Sequence, residues 1–177
     1  MLVLVGLPGS GKTTVGRQLA RRLRIPFVDS DHAIEHRLGC SVREYFEREG
    51  EDRFRDLESE VLDDLSLHHT GVLSTGGGSV LRPINRERLR ERGHVFYLRS
   101  SPEEVFRRLR NDQNRPLLQV ADPQARLREL FEKRDPLYRD CAHYVIETGR
   151  PSVSTLVNMI VSQLELAGHL PAQPAAS

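Results

Sequence analysis

The segment LVLVGLPGSGKTTVGRQLA, which begins at residue 2, limits the fold more than any other part of the chain. Four apolar residues run without a break into Gly6-Leu7-Pro8-Gly9-Ser10-Gly11-Lys12-Thr13. So short an apolar run, ending in glycines, reads as a strand buried on both faces, and such strands belong to parallel sheets. Beyond the loop, Val15, Leu19, Ala20 and Leu23 share one helical face, and Arg17, Arg21, Arg22 and Arg24 lie largely outside it. Glycines keep side chains out of such a turn, so backbone N–H groups can surround a phosphate at the helix N-terminus. The pattern G-x-x-x-x-G-K-T assigns Gly9, Ser10, Gly11, Lys12, Thr13 and Thr14 to nucleotide phosphates. Lys12 would bridge the β- and γ-phosphates, and the Thr13 hydroxyl would ligate Mg2+.

The rest of the chain repeats the alternation. PFVDSD, GVLSTGGG, HVFYLRS and HYVIET read as four further strands. Between them lie helical patterns, several with clear starts. Ser41 and Glu44 form a capping box, and Phe54, Leu57, Val61 and Leu65 make an inward stripe. Ser101, Pro102 and Glu104 open another helix, Asp122 and Pro123 a further one, and STLVNMIVSQLELAG is amphipathic. Five strands alternating with helices predict a three-layer α/β/α fold around a parallel sheet, as one domain over residues 1–168. Residues 169–177, rich in Pro and Ala, read as a flexible tail. The polar stretch 111–122 reads as a flap.

Composition narrows the partners. The net charge of +1 argues against nucleic acid or an anionic membrane. No run approaches a membrane span and no signal peptide is legible, so a cytoplasmic protein is expected. Cys40 and Cys141 stand far apart and read as free thiols. The chain carries 24 Arg and two Lys, Lys12 and Lys133, and the arginine fork suits carboxylates and phosphates. Asp-x-x-Gly and Asn-Lys-x-Asp are both missing, which speaks against a GTPase, and a large ATPase motor would need more chain. A small kinase remains.

Its acceptor must lie beside the γ-phosphate, in the crevice at the C-terminal strand ends. Asp29 and Asp31 follow the second strand, Arg55 and Glu58 lie on a helix, and Gly76, Gly77 and Gly78 follow the third strand. Arg115 in the flap and Arg139 after DPLY supply positive charge. An Asp can orient a hydroxyl and accept its proton, and paired Arg residues can clamp a carboxylate. Each residue also has a plainer reading. Asp31 could cap the next helix, Arg55 and Glu58 could be a surface i,i+3 pair, the glycines could be a turn, and Arg115 could be ordinary loop chemistry.

Taken together, GLPGSGKTT, DSD, GEDRFRDLE, STGGG, RPLL and KRDPLYRD resemble the shikimate kinases in order and approximate spacing, over about residues 1 to 150. That resemblance implies a P-loop kinase fold like that of nucleoside monophosphate kinases, with a five-stranded parallel sheet in the order 2-3-1-4-5. It also implies ATP-dependent phosphorylation of the 3-hydroxyl of shikimate, in the route to chorismate and the aromatic amino acids, by a monomer. By resemblance, residues 31–60 form the acceptor-binding region and 111–122 a lid. Asp31 meets the acceptor hydroxyls, Arg55, Gly77 and Arg139 line the acceptor site, and Glu58 supports Arg55. Arg115 contacts the nucleotide phosphates, Thr13 ligates the metal, and Asp29 reaches Mg2+ through water. Arg108, Arg150 and Pro151 fall where relatives cover the adenine. Tyr45 departs from the aliphatic residue common in the family. Other small-molecule kinases, such as gluconate or nucleoside monophosphate kinases, and a nucleotide-binding regulator without transfer activity are the competing readings.

Overall fold

The computed structural model describes residues 1–110 and 119–170. Strand β1 (Leu2–Val5) is buried along its whole length, as its unbroken apolar sequence requires. It pairs in parallel with β3 (Val72–Ser74) on one side and with β4 (His94–Arg99) on the other. The outer strands β2 (Phe27–Asp29) and β5 (Tyr144–Glu147) complete the parallel order 2-3-1-4-5. This is the expected sheet.

Helices cover both faces. Alternate residues of the strands split the core: Leu2, Leu4, Val72, Phe96 and Ile146 pack against α1 (Lys12–Leu23) and α8 (Val153–Leu166). Val3, Val5, Leu73, Val95 and Tyr97 face α4 (Glu51–His68), α5 (Pro83–Arg92), α6 (Pro102–Leu109) and α7 (Pro123–Cys141). A third, smaller cluster of Ile34, Phe54 and Val61 joins α4 to α2 (Ser30–Leu38) and α3 (Val42–Glu49). Caps fall where the sequence places them, with Ser41, Ser101 and Asp122 each accepting a backbone N–H.

Two local features differ from expectation. Helix α5 gave no apolar pattern, because only Asn85 and Leu89 of its ten residues are buried. Helix α2 is capped by Asp29, whose Oδ1 accepts from the N–H groups of Asp31 and His32 at 2.9 and 3.1 Å. Asp31 therefore sits in the first turn of α2 and is not its cap. Residues 111–118, most of the expected lid, and 171–177, most of the expected tail, lie outside the described residues. Among the described residues, no helix is long and apolar enough to cross a membrane.

Strand β3 enters the sheet through a tight approach. Val72 donates to Pro26 O at 2.8 Å, Leu2 donates to Gly71 O at 3.0 Å, and a Cβ on Gly71 would lie 1.9 Å from Pro26 O. Backbone on both sides cannot yield cheaply. Gly71→Ala is expected to cost about 2–3 kcal/mol and to lower Tm by roughly 5–10 °C. Thermal unfolding followed by circular dichroism checks this, and an unchanged Tm would contradict the packing described.

Candidate active site

A cavity of about 490 Å3 opens where β1, β2 and β3 end, at the carboxyl edge of the sheet. The phosphate loop forms its floor. Gly9 and Gly11 both take the left-handed backbone, at φ 79° and 93°, which turns the chain sharply into α1. Gly11 is the N-cap of α1 and offers no side chain, so no cap competes for the first N–H groups of the helix. That leaves an anion site at the end of the helix dipole. Lys12 lies folded along the loop, its Nζ donating to the carbonyls of Gly6 and Leu7, each at 2.8 Å. The Ser10 hydroxyl lies 3.5 Å from the same Nζ.

Asp29 links this floor to the far wall. Its Oδ2 accepts from the Thr13 hydroxyl at 3.1 Å while its Oδ1 caps α2. A hydroxyl and a carboxylate side by side suit a hard cation that takes its remaining ligands from water and phosphate, as Mg2+ does. Among the described residues, no cluster of three or more His, Cys, Asp or Glu could hold a metal unaided. Thr13 and Asp29 therefore fit the expected role.

Asp31 stands one helical turn into the cavity. Burial, then the neighbouring carboxylates of Asp29 and Glu58, push its pKa up to about 6, against the opposing pull of Lys12. The same carboxyl thus senses both the phosphate-loop lysine and the pair on α4. In that pair, Arg55 Nη1 donates to Glu58 Oε1 at 2.8 Å, and the side chains are only 13% and 1% exposed. This is no surface pair. Burial raises the pKa of Glu58 even though Arg55 and Ser79 act to lower it.

The three consecutive glycines each clear room for a different part of the site. A Cβ on Gly76 would lie 2.7 Å from Asp31 Oδ1, one on Gly77 2.6 Å from Pro8 Cδ, and one on Gly78 2.4 Å from Arg55 Nη1. Acid, phosphate loop and guanidinium converge on one backbone segment, which is why a simple turn would need fewer glycines. Gly76 N–H donates to Ser30 Oγ at 3.0 Å. Among the described residues, the N–H groups of Gly77 and Gly78 have no hydrogen-bond partner.

Helix α7 backs the glycine segment, with the Tyr138 hydroxyl donating to Gly77 O, and here the expectation needs correcting. Arg139 is 48% exposed and donates to Asp135 Oδ2 at 3.1 Å, so the structure does not bring it to the Arg55–Glu58 pair. Arg134 is there instead. It lies close enough to the Tyr138 hydroxyl and to Glu58 to favour the charged form of each. The two arginines sit about 140° apart around the helix, so only one can face the glycines. A signal for Arg134 existed: Leu127, Leu130, Tyr138 and Cys141 form the buried stripe of α7, and Arg134 occupies the missing position in it. Arg108 lies at the cavity's edge, donating to Gly9 O, Ser100 Oγ and Thr148 O at 3.4, 3.2 and 3.2 Å. The expected adenine contacts Arg150 and Pro151 directly follow that Thr148–Gly149 segment. Arg115 lies outside the described residues.

The family model for shikimate kinase matches residues 8–165. A shikimate kinase of Paracidovorax citrulli is 61% identical over 174 residues, covering 97% of this chain and 95% of that protein. One from Ralstonia nicotianae is 59% identical over 173 residues, covering 98% and 90%. This chain belongs to the shikimate kinase family. A solved structure of the Acinetobacter baumannii shikimate kinase, in complex with shikimate, superposes with a TM-score of 0.89 at 47% identity. The match covers 96% of this chain and 94% of the other.

The raised pKa of Asp31 has a stability consequence. A carboxyl with a pKa of about 6 folded and 3.8 unfolded favours folding most when protonated. Its contribution is complete below the lower value and is lost as pH rises through the higher one. Asp31→Asn is therefore expected to melt at or above wild type at pH 8, with the gap closing towards pH 4. The same variant should lose about a hundredfold or more in turnover. Scanning calorimetry at both pH values and ADP release check the pair. Lower Tm at pH 8 with turnover intact would mean that Asp31 only supports α2.

Proposed function

We propose that this chain transfers the γ-phosphoryl group of ATP to the 3-hydroxyl of shikimate, with Asp31 as the group that orients and deprotonates that hydroxyl. One observation carries the reading: Asp31 lines one cavity with the phosphate-loop lysine, and its carboxyl packs on the same glycine segment as the buried Arg55 guanidinium. A carboxylate acceptor bound at that pair would therefore present a ring hydroxyl to Asp31, beside the phosphates.

The residues divide the work. Arg55 and Arg134 clamp the acceptor carboxylate, and Glu58 holds Arg55 in place. The free N–H groups of Gly77 and Gly78 add donors on the same side. The loop N–H groups, Lys12 and Thr14 bind the nucleotide phosphates, and Lys12 meets charge that grows between the β- and γ-phosphates. Thr13 and, through water, Asp29 would hold Mg2+, which when bound neutralises charge on those phosphates. As the new P–O bond forms, Asp31 takes the hydroxyl proton and the β–γ bridging bond breaks to release ADP. At neutral pH Asp31 is mostly ionised, yet its pKa of about 6 keeps it basic enough to accept the proton.

The remaining expectations belong to the same reading. Residues 31–60 bind the acceptor within a single kinase domain, and Arg115 in the segment 111–122 completes the phosphate contacts from a lid. The enzyme acts as a monomer in the cytoplasm, on small soluble substrates of the route to chorismate.

The test is ADP release by purified protein with shikimate, followed by arginine variants. Arg55→Lys and Arg134→Lys should each raise the shikimate KM by roughly tenfold to a hundredfold, because a point charge cannot reproduce two parallel N–H···O bonds. The ATP KM should stay within about twofold, and Arg139→Lys should resemble wild type. Parallel loss of ATP and shikimate affinity would place the arginines at the phosphates. A shikimate defect confined to Arg139→Lys would return that residue to the acceptor site.

A further inference from the structure

Tyr138 is fully buried in the last turn of α7, and its ring packs 4.9 Å from that of Tyr97. Packing alone would be served by phenylalanine. The hydroxyl, however, donates to Gly77 O at 2.6 Å and lies within electrostatic reach of the Arg134 guanidinium. One oxygen thus faces both the glycine wall and the arginine on α7. The carbonyl it holds belongs to Gly77, which lines the cavity, and Arg55 and Glu58 lie near enough to act on the phenol electrostatically.

We infer that Tyr138 is a positioning residue for the acceptor carboxylate, acting through Gly77 and Arg134 together. This rests on the acceptor reading given above. Two consequences of the geometry carry it. First, the Gly77–Gly78 peptide is trans, so fixing its carbonyl on Tyr138 turns the Gly78 N–H to the opposite side, away from α7. A glycine peptide has little else to hold its plane, since neither residue has a side chain. Second, Arg134 sits one helical turn before Tyr138 on the same face of α7, so the phenol limits the rotamers of a guanidinium that would otherwise sample many. Tyr138 does both at once, one by a donated bond and one by contact, so the two donors towards the acceptor are set in register with each other.

Tyr97 supplies the contrast. Its hydroxyl donates to Asp135 Oδ1 at 2.8 Å, and Asp135 is also held by Arg99 and Arg139. That network ties α7 to β4 without touching Gly77 or Arg134. The same chemical change, loss of one buried phenol hydroxyl, therefore has a different expected outcome at each tyrosine.

The experiment compares Tyr138→Phe, Tyr97→Phe, Arg134→Ala and the double variant Tyr138→Phe/Arg134→Ala in steady-state assays with ATP and shikimate, with Tm recorded for each. Tyr138→Phe should raise the shikimate KM about tenfold, with the ATP KM unchanged and kcat within about threefold. In the Arg134→Ala background the same change should add no more than about threefold, because the two residues act through one another. Tyr97→Phe should lower Tm and leave both KM values alone. Should Tyr138→Phe melt below the assay temperature, calorimetric titration of the folded protein with shikimate in the cold reads the same ratio. A wild-type shikimate KM or affinity in Tyr138→Phe, additivity with Arg134→Ala, or equal changes in both substrate KM values would overturn the positioning role. Wild-type protein that releases no ADP with shikimate would instead overturn the acceptor reading itself.

Discussion

The carboxylate of Asp29 connects everything that has to act together. It ends β2, caps α2 through one oxygen, and accepts from Thr13 of the phosphate loop through the other. Remove it and the first turn of α2 loses its cap, a change that typically costs about 1 kcal/mol. The energetic loss is the smaller part. The cap fixes where α2 begins, and α2 carries Asp31, so the distance between the acid and the phosphate loop depends on this one side chain. Ser30 reinforces the arrangement by accepting from Gly76 N–H, which ties the start of α2 to the glycine wall.

Around that link the site accumulates unfavourable electrostatics. Burial and the nearby carboxylates of Asp29 and Glu58 push the Asp31 pKa up, and burial raises that of Glu58 as well. Buried charge of this kind is retained only with compensation. Glu58 receives it from Arg55 and Ser79, and Asp31 receives it in part from Lys12. Asp31 is left with the least, and it is the group that meets the acceptor hydroxyl. The stability lost by keeping it ionised is the source of its basicity, a trade common where activity needs a strained group.

Much of this was legible in the chain. The buried strand, the loop and the helix behind it follow from residues 2–23 by period and glycine placement alone. The caps at Ser41, Ser101 and Asp122 were equally local, because a cap is a contact between near neighbours. The errors came where tertiary position outweighs local pattern. Helix α5 is polar nearly all round and is held by Asn85, whose side chain donates to Ser79 O at 3.0 Å, and by Leu89. Asp29 and Asp31 are both good caps, and only the strand's end decides between them. Arg139 and Arg134 both flank DPLY, and only the helical phase of the buried stripe, which Arg134 continues, separates them. Tyr138 is core, and its hydroxyl partner Gly77 stands 61 residues away, beyond any local pattern.

The central claim is that one cavity holds the acceptor's carboxylate on Arg55 and Arg134 and its reacting hydroxyl on Asp31. A crystal structure of the protein with ADP, Mg2+ and shikimate measures this most directly. The account predicts the 3-hydroxyl within hydrogen-bond distance of the Asp31 carboxylate, the carboxylate on both guanidinium groups, and Arg139 still on Asp135. Shikimate bound through Arg139, or with its 3-hydroxyl turned away from Asp31, would contradict it.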